Sequence, residues 1–478
     1  MTPRWLDEVR ALVGPRGVVT RTSAVAYESD GLTMERGEGV AVVLPRDTAE
    51  TARVMRVLAR HGVPIVPRGA GTGLSGGATP VTGGVTIGTA RMRGILAIDP
   101  LERTALVQAG VVNADLSRAT AAHGLFYAPD PSSQAACTLG GNVANNSGGP
   151  HCLLHGNTSR HVRGLVLVDA AGEVVDLMPR GADPEGLDLA GLTVGSEGMF
   201  GVVTEVLFNL QPMPETVETV LAVFPTLDAA CDCVTDAIAA RLEPSAIEIL
   251  DRLTIEAVED SVFAAGYPRD AEAVLLVEAE GGAEEVAATV ADLVELAERH
   301  GCMEVRRARD AAERARLWAG RKGAFGAMGR VAPDLYVADV VAPRTRLREI
   351  VALSTEIARE RGLKLANVFH AGDGNLHPNI SYDRRDADEV RRVLEAGRLI
   401  MQACIDRGGS LTGEHGVGLE KQAHMCDVFN DDDLAVMHRV RDAADPERRL
   451  NPGKTLPVRA CREARGTGLP TDPREVHP

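Results

Sequence analysis

Two short stretches of this 478-residue chain carry residue types that bind cations and move protons. The first, Asn367-Val-Phe-His-Ala-Gly-Asp-Gly-Asn-Leu-His-Pro-Asn-Ile380, sets two histidines around Asp373-Gly374, a dipeptide that favours a type I′ turn between antiparallel strands. With 373 and 374 in the turn, 372 opposes 375, 371 opposes 376 and His370 opposes His377. Both imidazoles then share one face, with Cβ atoms roughly 4.5–5.5 Å apart, close enough to chelate one ion. By the period of two, Asn379 points the same way. The second stretch, Gly408-Gly-Ser-Leu-Thr-Gly-Glu-His-Gly-Val-Gly418, places Glu414 and His415 together in a loop where no core demands them. His370, His377 and Glu414 form a two-histidine, one-carboxylate donor set that suits Zn²⁺, Mn²⁺ or Fe²⁺ and leaves positions open for substrate. With Glu414 as a ligand, His415 projects elsewhere and is free to act as a base near neutral pH.

Three glycine clusters suggest backbone approaching a ligand. Pro67-Arg-Gly-Ala-Gly-Thr-Gly-Leu-Ser-Gly-Gly-Ala78 contains Gly71-x-Gly73-x-x-Gly76 after a strand. A dinucleotide crossover would open a helix at the third glycine and carry an acid about 20 residues on, whereas here Thr-Pro-Val-Thr-Gly-Gly follows and position 91 is Arg. The nicotinamide reading fails, but freed backbone amides can still wrap a pyrophosphate without a helix. Asp130-Pro-Ser-Ser133 with Leu139-Gly-Gly-Asn-Val-Ala-Asn-Asn-Ser-Gly-Gly149 reads as a second wall, and Gly195-Ser-Glu-Gly-Met-Phe-Gly-Val-Val-Thr204 as a third that lies against a planar ring. Together they outline a long polar cleft of dinucleotide size. His151 and His155, with no strong helix or local carboxylate, read as lining of that cleft, and Cys231-x-Cys233 as packing on an amphipathic helix.

The elements that must position these groups form an α+β chain. Val-Ala-Val-Val-Leu after Gly39, a helix over 48–61 and Val-Pro-Ile-Val at 63–66 make a strand–helix–strand unit, followed by β-rich segments and a hairpin at Ala171-Gly172. Gln211-Pro-Met-Pro214 interrupts the pattern, so a boundary is placed there: 1–210 as one domain, 211–457 as a second that resembles a split β-α-β, ferredoxin-like sandwich with a C-terminal helical segment, and 458–478 as a flexible tail. No internal repeat is evident. The excess of 67 Asp and Glu over 51 Lys and Arg disfavours nucleic acid, and the 15 aromatic residues are too few and scattered for base stacking. Eight cysteines without a C-x-x-C spacing argue against an iron–sulfur cluster or a four-Cys zinc site and read as reduced thiols. No run approaches a membrane span and the N-terminus lacks an apolar signal region, so a cytoplasmic location is expected.

With those motifs in order, the chain resembles the FAD-linked oxidases of the vanillyl-alcohol-oxidase type, with a PCMH-type FAD domain, in the branch of glycolate oxidase catalytic subunits and D-lactate and D-2-hydroxyglutarate dehydrogenases. The resemblance spans about residues 38–456 and rests on Pro67–Ala78, Asp130–Gly149, Gly195–Thr204, His370–Ile380, Gly413–Gly418 and Asn451–Lys454. It implies a two-subdomain FAD-binding domain and a cap domain over the flavin. It also implies that FAD is cradled by Pro67, Arg68, Gly69, Ala70, Gly71, Thr72, Gly73, Leu74 and Ser75, by Pro131 and Ser132, and by Gly140, Gly141, Asn142, Ala144, Asn145, Ser147 and Gly148. Glu197, Gly201, Val202, Val203 and Asn451 complete that set. His370, His377 and Glu414 would hold the metal, His415 would take the hydroxyl proton as hydride passes to flavin N5, and Asn379 and Arg321 would touch the substrate.

Two departures narrow the expectation. The loop at 67–78 lacks the histidine that some relatives attach to flavin, so FAD should be noncovalent. Tyr336-Val-Ala-Asp339 lacks the lysine found in hydroxyglutarate-type relatives, which favours a smaller acid such as glycolate or lactate. The expected reaction is metal-assisted oxidation of a D-2-hydroxy acid to the 2-oxo acid, with electrons leaving to an acceptor protein, a quinone or a soluble acceptor. Two other readings remain open: a non-redox flavoprotein of the alkyl-glycerone-phosphate synthase kind, and a non-catalytic flavin subunit of an electron-transfer complex. The assembly is open between a homodimer and an oxidase-complex subunit, peripheral at the membrane through a partner.

Overall fold

The computed structural model describes residues 3–179 and 186–457. The tail expected at 458–478 lies outside them. Two compact units emerge, and neither is continuous in sequence. Of the described residues, the first takes those within 3–147, 157–213 and 415–457, the second 148–156 and 214–414. This differs from the two-block division at 210: the chain returns to the first unit at His415, and residues 148–156, though early in sequence, pack with the second unit. A composition shift reads only local pattern, and these excursions are carried by tertiary contacts.

In the first unit, β1 (Val18–Val19), β2 (Ala41–Val43), β3 (Ile65–Arg68) and β4 (Val85–Gly88) form a sheet in the order β1-β2-β4-β3. β2 and β3 run parallel to β4, joined by α1 (Thr48–Arg60), whose N-terminus is capped by Asp47 accepting from Glu50 N. One face of α1 buries Ala52, Val54, Met55, Val57 and Leu58 in a core with Ile65, Val85 and Ile87. A second sheet runs β5 (Ile95–Asp99), β6 (Thr104–Gln108), β9 (Val202–Asn209), β7 (Val162–Val168) and β8 (Val174–Asp176), all antiparallel. Between them the glycine-rich segment Leu139–Asn145 is a helix, α2, with Leu139, Asn142 and Val143 buried. Its N-cap, Thr138, accepts from Gly141 N.

The second unit is built on a β-α-β-β-α-β pattern: β10 (Thr216–Phe224), α3 (Leu227–Ala239), β11 (Ala246–Asp251), β12 (Ala273–Gly281), α5 (Ala283–Arg299) and β13 (Glu304–Arg307), with α4 (Arg252–Glu259) inserted after β11. The sheet order β13-β10-β12-β11 is that of a ferredoxin-like sandwich. After α6 (Ala311–Ala327) the pattern returns: β14 (Asp334–Val337) and β15 (Val340–Val341), α7 (Leu347–Glu360), β16 (Lys364–His370), β17 (Asn375–Leu376) with β18 (Pro378–Tyr382), α8 (Ala387–Ile405) and a last bridge between Ser410 and Val341. No repeat is visible in the sequence, yet the topology repeats, and the two halves join edge to edge where β11 pairs antiparallel with β16.

Alternation along these strands separates two faces. Leu221, Val223, Ala246, Leu250, Val274, Leu276 and Val368 pack on Ile255 and Val258 of α4 and on Leu317 and Trp318 of α6. On the other face Val220 and Ala279 meet Val286 and Val290 of α5. Among the described residues Cys137, Cys152, Cys231, Cys233, Cys302 and Cys404 form no disulfide, and Cys231 and Cys233 are buried on α3 as expected. Cys426 is disulfide-bonded, against the expectation of reduced thiols throughout. Spacing rules exclude close metal-binding pairs and say nothing about cysteines far apart in sequence. Among the described residues no helix is long and apolar enough to cross a membrane.

Candidate active site

The seam between β11 and β16 positions the polar cluster of the second unit. Register places Glu248 directly opposite His370. The expected hairpin register is corrected: His370 opposes Asn375, not His377, because the connection is the four-residue turn Ala371-Gly-Asp-Gly374 rather than a two-residue one. Asp373 Oδ1 accepts from Asn375 N at 3.0 Å, and Gly374 adopts φ 82, which favours glycine. A shift of two residues leaves side-chain parity unchanged. The two imidazoles therefore still meet, as diagonal neighbours with ring centroids 5.2 Å apart.

Glu414 completes the group. Its Oε1 lies 3.4 Å from His370 Nε2 and 3.3 Å from His377 Nε2, and one donor atom from each of the three residues falls within 4.8 Å of the others. The Glu414 loop is held by Asp339, at the break between β14 and β15, which accepts from Thr412 Oγ1 (2.6 Å), Gly413 N (2.9 Å) and Glu414 N (3.2 Å). A Cβ at Gly413 would stand 2.2 Å from Asn375 Oδ1, so only glycine lets this loop close on the hairpin. Burial opposes charge on His370, yet Glu248 and then Glu414 hold its pKa well above the ordinary histidine value. Burial likewise opposes ionisation of Glu414, but hydrogen bonds and charge from His370 and His377 hold it well below the usual carboxylate range.

The substrate residues expected from the resemblance stand nearby. Arg321, on α6, is fully buried, with Nε 2.5 Å from Glu248 Oε2 and Nη2 3.4 Å from His370 Nδ1. Its Nη1 has no partner among the described residues. Asn379 donates from Nδ2 to His377 O at 2.6 Å, and its Oδ1 is buried without a partner among the described residues. Glu248 and Asp339 were not among the expected site residues. Their sequence signal is an acid inside an apolar run: in Ala246-Ile-Glu-Ile-Leu-Asp251 every position is buried, and Glu248 lies on the Ala246 and Leu250 face.

His151 and His155 are also corrected. They belong to the second unit, where His151 Nε2 lies 3.1 Å from Glu278 Oε1 and His155 Nε2 lies 2.6 Å from Glu280 Oε1. Glu278 further accepts from both Arg314 Nε and Nη2 (2.9 Å each), Trp318 Nε1 (2.5 Å) and Thr219 Oγ1 (2.6 Å). Burial would raise the Glu278 pKa, but the His151 and Arg314 contacts hold it down at about 2. Gly148, expected with the cofactor set, sits in this unit as well, where a Cβ would lie 2.9 Å from both Glu414 Oε2 and Cys152 Sγ.

In the first unit the three glycine clusters do meet, around α2. A Cβ at Gly69 would fall 2.4 Å from Thr138 Oγ1. Gly195 N and Glu197 N donate to the carbonyls of Val143 and Ala144, and a Cβ at Gly198 would fall 2.9 Å from Pro67. Gly71, Thr72, Gly73, Leu74, Gly140, Gly141, Ala144, Asn145, Ser147, Pro131 and Val203 are partly exposed, Ala70 and Ser132 are exposed, and Ser75, Gly201 and Val202 are buried. Two expected contact residues turn inward. Arg68 donates to Ser29 O and Ala78 O and stacks on Tyr27, while Asn142 Oδ1 accepts from Asn113. Glu197 accepts from Val417 N and Gly418 N at 2.8 Å each. Asn451 Nδ2 donates to Gly77 O and Glu197 O, and Lys454 Nζ donates to Gly77 O and Thr79 O. Burial pulls the Lys454 ammonium down to about 7 against the attraction of Asp30 and Glu197. His415, the first residue of the returning segment, accepts on its carbonyl from Asn145 Nδ2 at 3.0 Å.

A family model described as FAD binding domain matches residues 40–178, and one described as FAD linked oxidases, C-terminal domain, matches 213–455. The chain is 44% identical over 439 residues to glycolate oxidase subunit GlcD of Escherichia coli (strain K12), covering 92% of this chain and 88% of that one. It is 30% identical to a D-lactate dehydrogenase of Archaeoglobus fulgidus, covering 95% and 99%. Among solved structures, p-cresol methylhydroxylase with substrate bound superposes with a TM-score of 0.81 over 95% of this chain and 97% of that one at 16% identity, a likeness of fold.

Proposed function

The chain belongs to the FAD-linked oxidases, and from that premise we propose that it oxidises a small D-2-hydroxy acid, of the glycolate or D-lactate class, to the 2-oxo acid with metal assistance. It is an FAD-dependent oxidoreductase by family. The observation that carries the finer reading is the convergence of His370, His377 and Glu414 beside the buried guanidinium of Arg321, whose Nη1 has no partner among the described residues. Two relatives are named for glycolate and D-lactate, which supports the substrate class.

The donors fit a divalent cation. Two imidazole Nε2 atoms and one carboxylate oxygen match the ligand preferences of Zn²⁺, Mn²⁺ or Fe²⁺, and Glu248, Asp339 and Glu414 place more negative charge around the cluster than Arg321 offsets. Bound there, the cation would supply Lewis acidity that lowers the pKa of a substrate hydroxyl. Bound FAD would supply the hydride acceptor. Arg321 Nη1 would pair with the substrate carboxylate, and Asn379 Oδ1 would accept a hydrogen bond from substrate. His415, adjacent to Glu414, would take the hydroxyl proton. The chain has no iron–sulfur spacing, so its electrons would pass to a separate acceptor protein or quinone, consistent with a role as one subunit of an oxidase complex. The loop at 67–78 contains no histidine, which supports noncovalent FAD.

Anaerobic mixing of the flavin-loaded protein with glycolate or D-lactate should bleach the flavin absorption, and prior chelation should abolish bleaching. Failure to bleach with any D-2-hydroxy acid overturns the reading.

A further inference from the structure

We propose that Glu248 is a positioning residue that both sets the tautomer of His370 and aims Arg321, so that one carboxylate couples the cation site to the substrate-anion site. The inference rests on the reading of His370, His377 and Glu414 as cation ligands. Glu248 is wholly buried, and its two oxygens are divided between two partners: Oε1 is 2.7 Å from His370 Nδ1 and Oε2 is 2.5 Å from Arg321 Nε. Both are short, charge-assisted contacts. The pairing is imposed by the backbone, because Glu248 and His370 are direct cross-strand partners at the β11–β16 seam.

A carboxylate is an acceptor only, so the imidazole must present Nδ1–H to it. Nε2, which faces Glu414 at 3.4 Å, is then the nitrogen left for a cation. A ligating histidine whose second nitrogen is held by a carboxylate has a fixed ring orientation and greater basicity. A role as counter-ion to Arg321 alone would need only one of the two oxygens. The structure uses both.

Glu248→Gln separates these roles because its volume is nearly unchanged while it offers one acceptor oxygen and an NH₂ group. Arg321 and His370 cannot both be satisfied. If the oxygen stays on Arg321, the NH₂ forces His370 Nδ1 to accept, which places a proton on Nε2 where the cation should bind.

The test is a Zn²⁺ titration against a competing chelator on the FAD-loaded wild type, Glu248→Gln and His377→Ala, with flavin content and thermal melting measured in parallel. Glu248→Gln should bind Zn²⁺ about 10- to 100-fold more weakly than wild type and show a raised KM for glycolate or D-lactate, with unchanged flavin content. Unchanged Zn²⁺ affinity in Glu248→Gln, with wild type binding tightly and His377→Ala not binding, overturns this inference alone. A wild type that binds no Zn²⁺ overturns it together with the cation reading. Should the variant fail to fold, ¹⁵N–¹H correlation of the imidazoles in the wild-type holoprotein decides: a protonated Nδ1 on His370 is expected, and an Nδ1 without a proton overturns it.

Discussion

The glycine loop of the first unit and the histidine cluster of the second solve opposite problems. In the loop, side chains hold backbone: Arg68 takes Ala78 O, Asn451 takes Gly77 O, and Lys454 takes Gly77 O and Thr79 O. With those carbonyls tied down from one side, residues 71–74 stay partly exposed. In the cluster, backbone holds side chains: the cross-strand register and the Asp339-clasped loop bring His370, Glu248, His377 and Glu414 together. The difference teaches where each site is vulnerable. The loop should fail through the side chains that anchor its carbonyls, the cluster through the functional groups themselves.

The largest expected effect separates the two sites outright. His377→Ala should lose the cation and about 10³-fold or more of kcat/KM, as a Lewis-acid contribution of several kcal/mol is withdrawn, while flavin content stays at wild-type level. Metal analysis beside flavin absorbance checks it, and co-loss of flavin would merge the two sites.

Next is the acid limb of stability in the second unit. Glu278 is held near 2 rather than the ordinary 4.5, which corresponds to about 3 kcal/mol of folding free energy at neutral pH. A depressed carboxyl contributes above pH 4.5 and the contribution disappears as pH falls through about 2. Glu278→Gln should therefore be destabilised at pH 7 and converge on wild type in acid, as denaturant melts from pH 7 to 2.5 would show.

Lys454→Met tests the anchor side of the comparison. Removing a buried cationic donor from two carbonyls costs about 1.5–3 kcal/mol, and if the loop loosens, FAD affinity should fall roughly tenfold while Zn²⁺ affinity is unchanged. Fluorescence titration of the apoprotein with FAD measures it. An unchanged FAD affinity would mean that the loop keeps its shape without the anchor.

The smallest effect sharpens the cluster side. Gly148→Ala places a methyl 2.9 Å from Glu414 Oε2 and Cys152 Sγ, and should weaken Zn²⁺ binding by about 1 kcal/mol, roughly fivefold. A larger loss would mean that the carboxylate has no room to yield.

Much of this was legible in the chain because it is local. The glycine spacings, Glu414-His415 and the two histidines around a turn are each contained within a dozen residues, and even a register wrong by two preserved the shared face of His370 and His377. Glu248 was not legible, since its meaning comes from partners at 321 and 370, and a lone acid in an apolar strand looks like a sequence irregularity. His151 and His155 were misread for the same reason: their carboxylates lie more than 120 residues away. The repeated ferredoxin-like topology was likewise hidden, because both halves need only the same pattern of apolar faces and not the same residues.

The amino-acid sequence alone therefore determined the donor types, the glycine positions where backbone can approach a ligand, and the family, since these depend on residue chemistry and short-range stereochemistry. Tertiary structure alone decided which acid serves which base, which residues of the early and late chain join each unit, and that Arg68 and Asn142 turn inward. Those outcomes depend on burying charges against partners far away in sequence, where a misplaced carboxylate costs several kcal/mol and only the folded chain can supply its counter-ion.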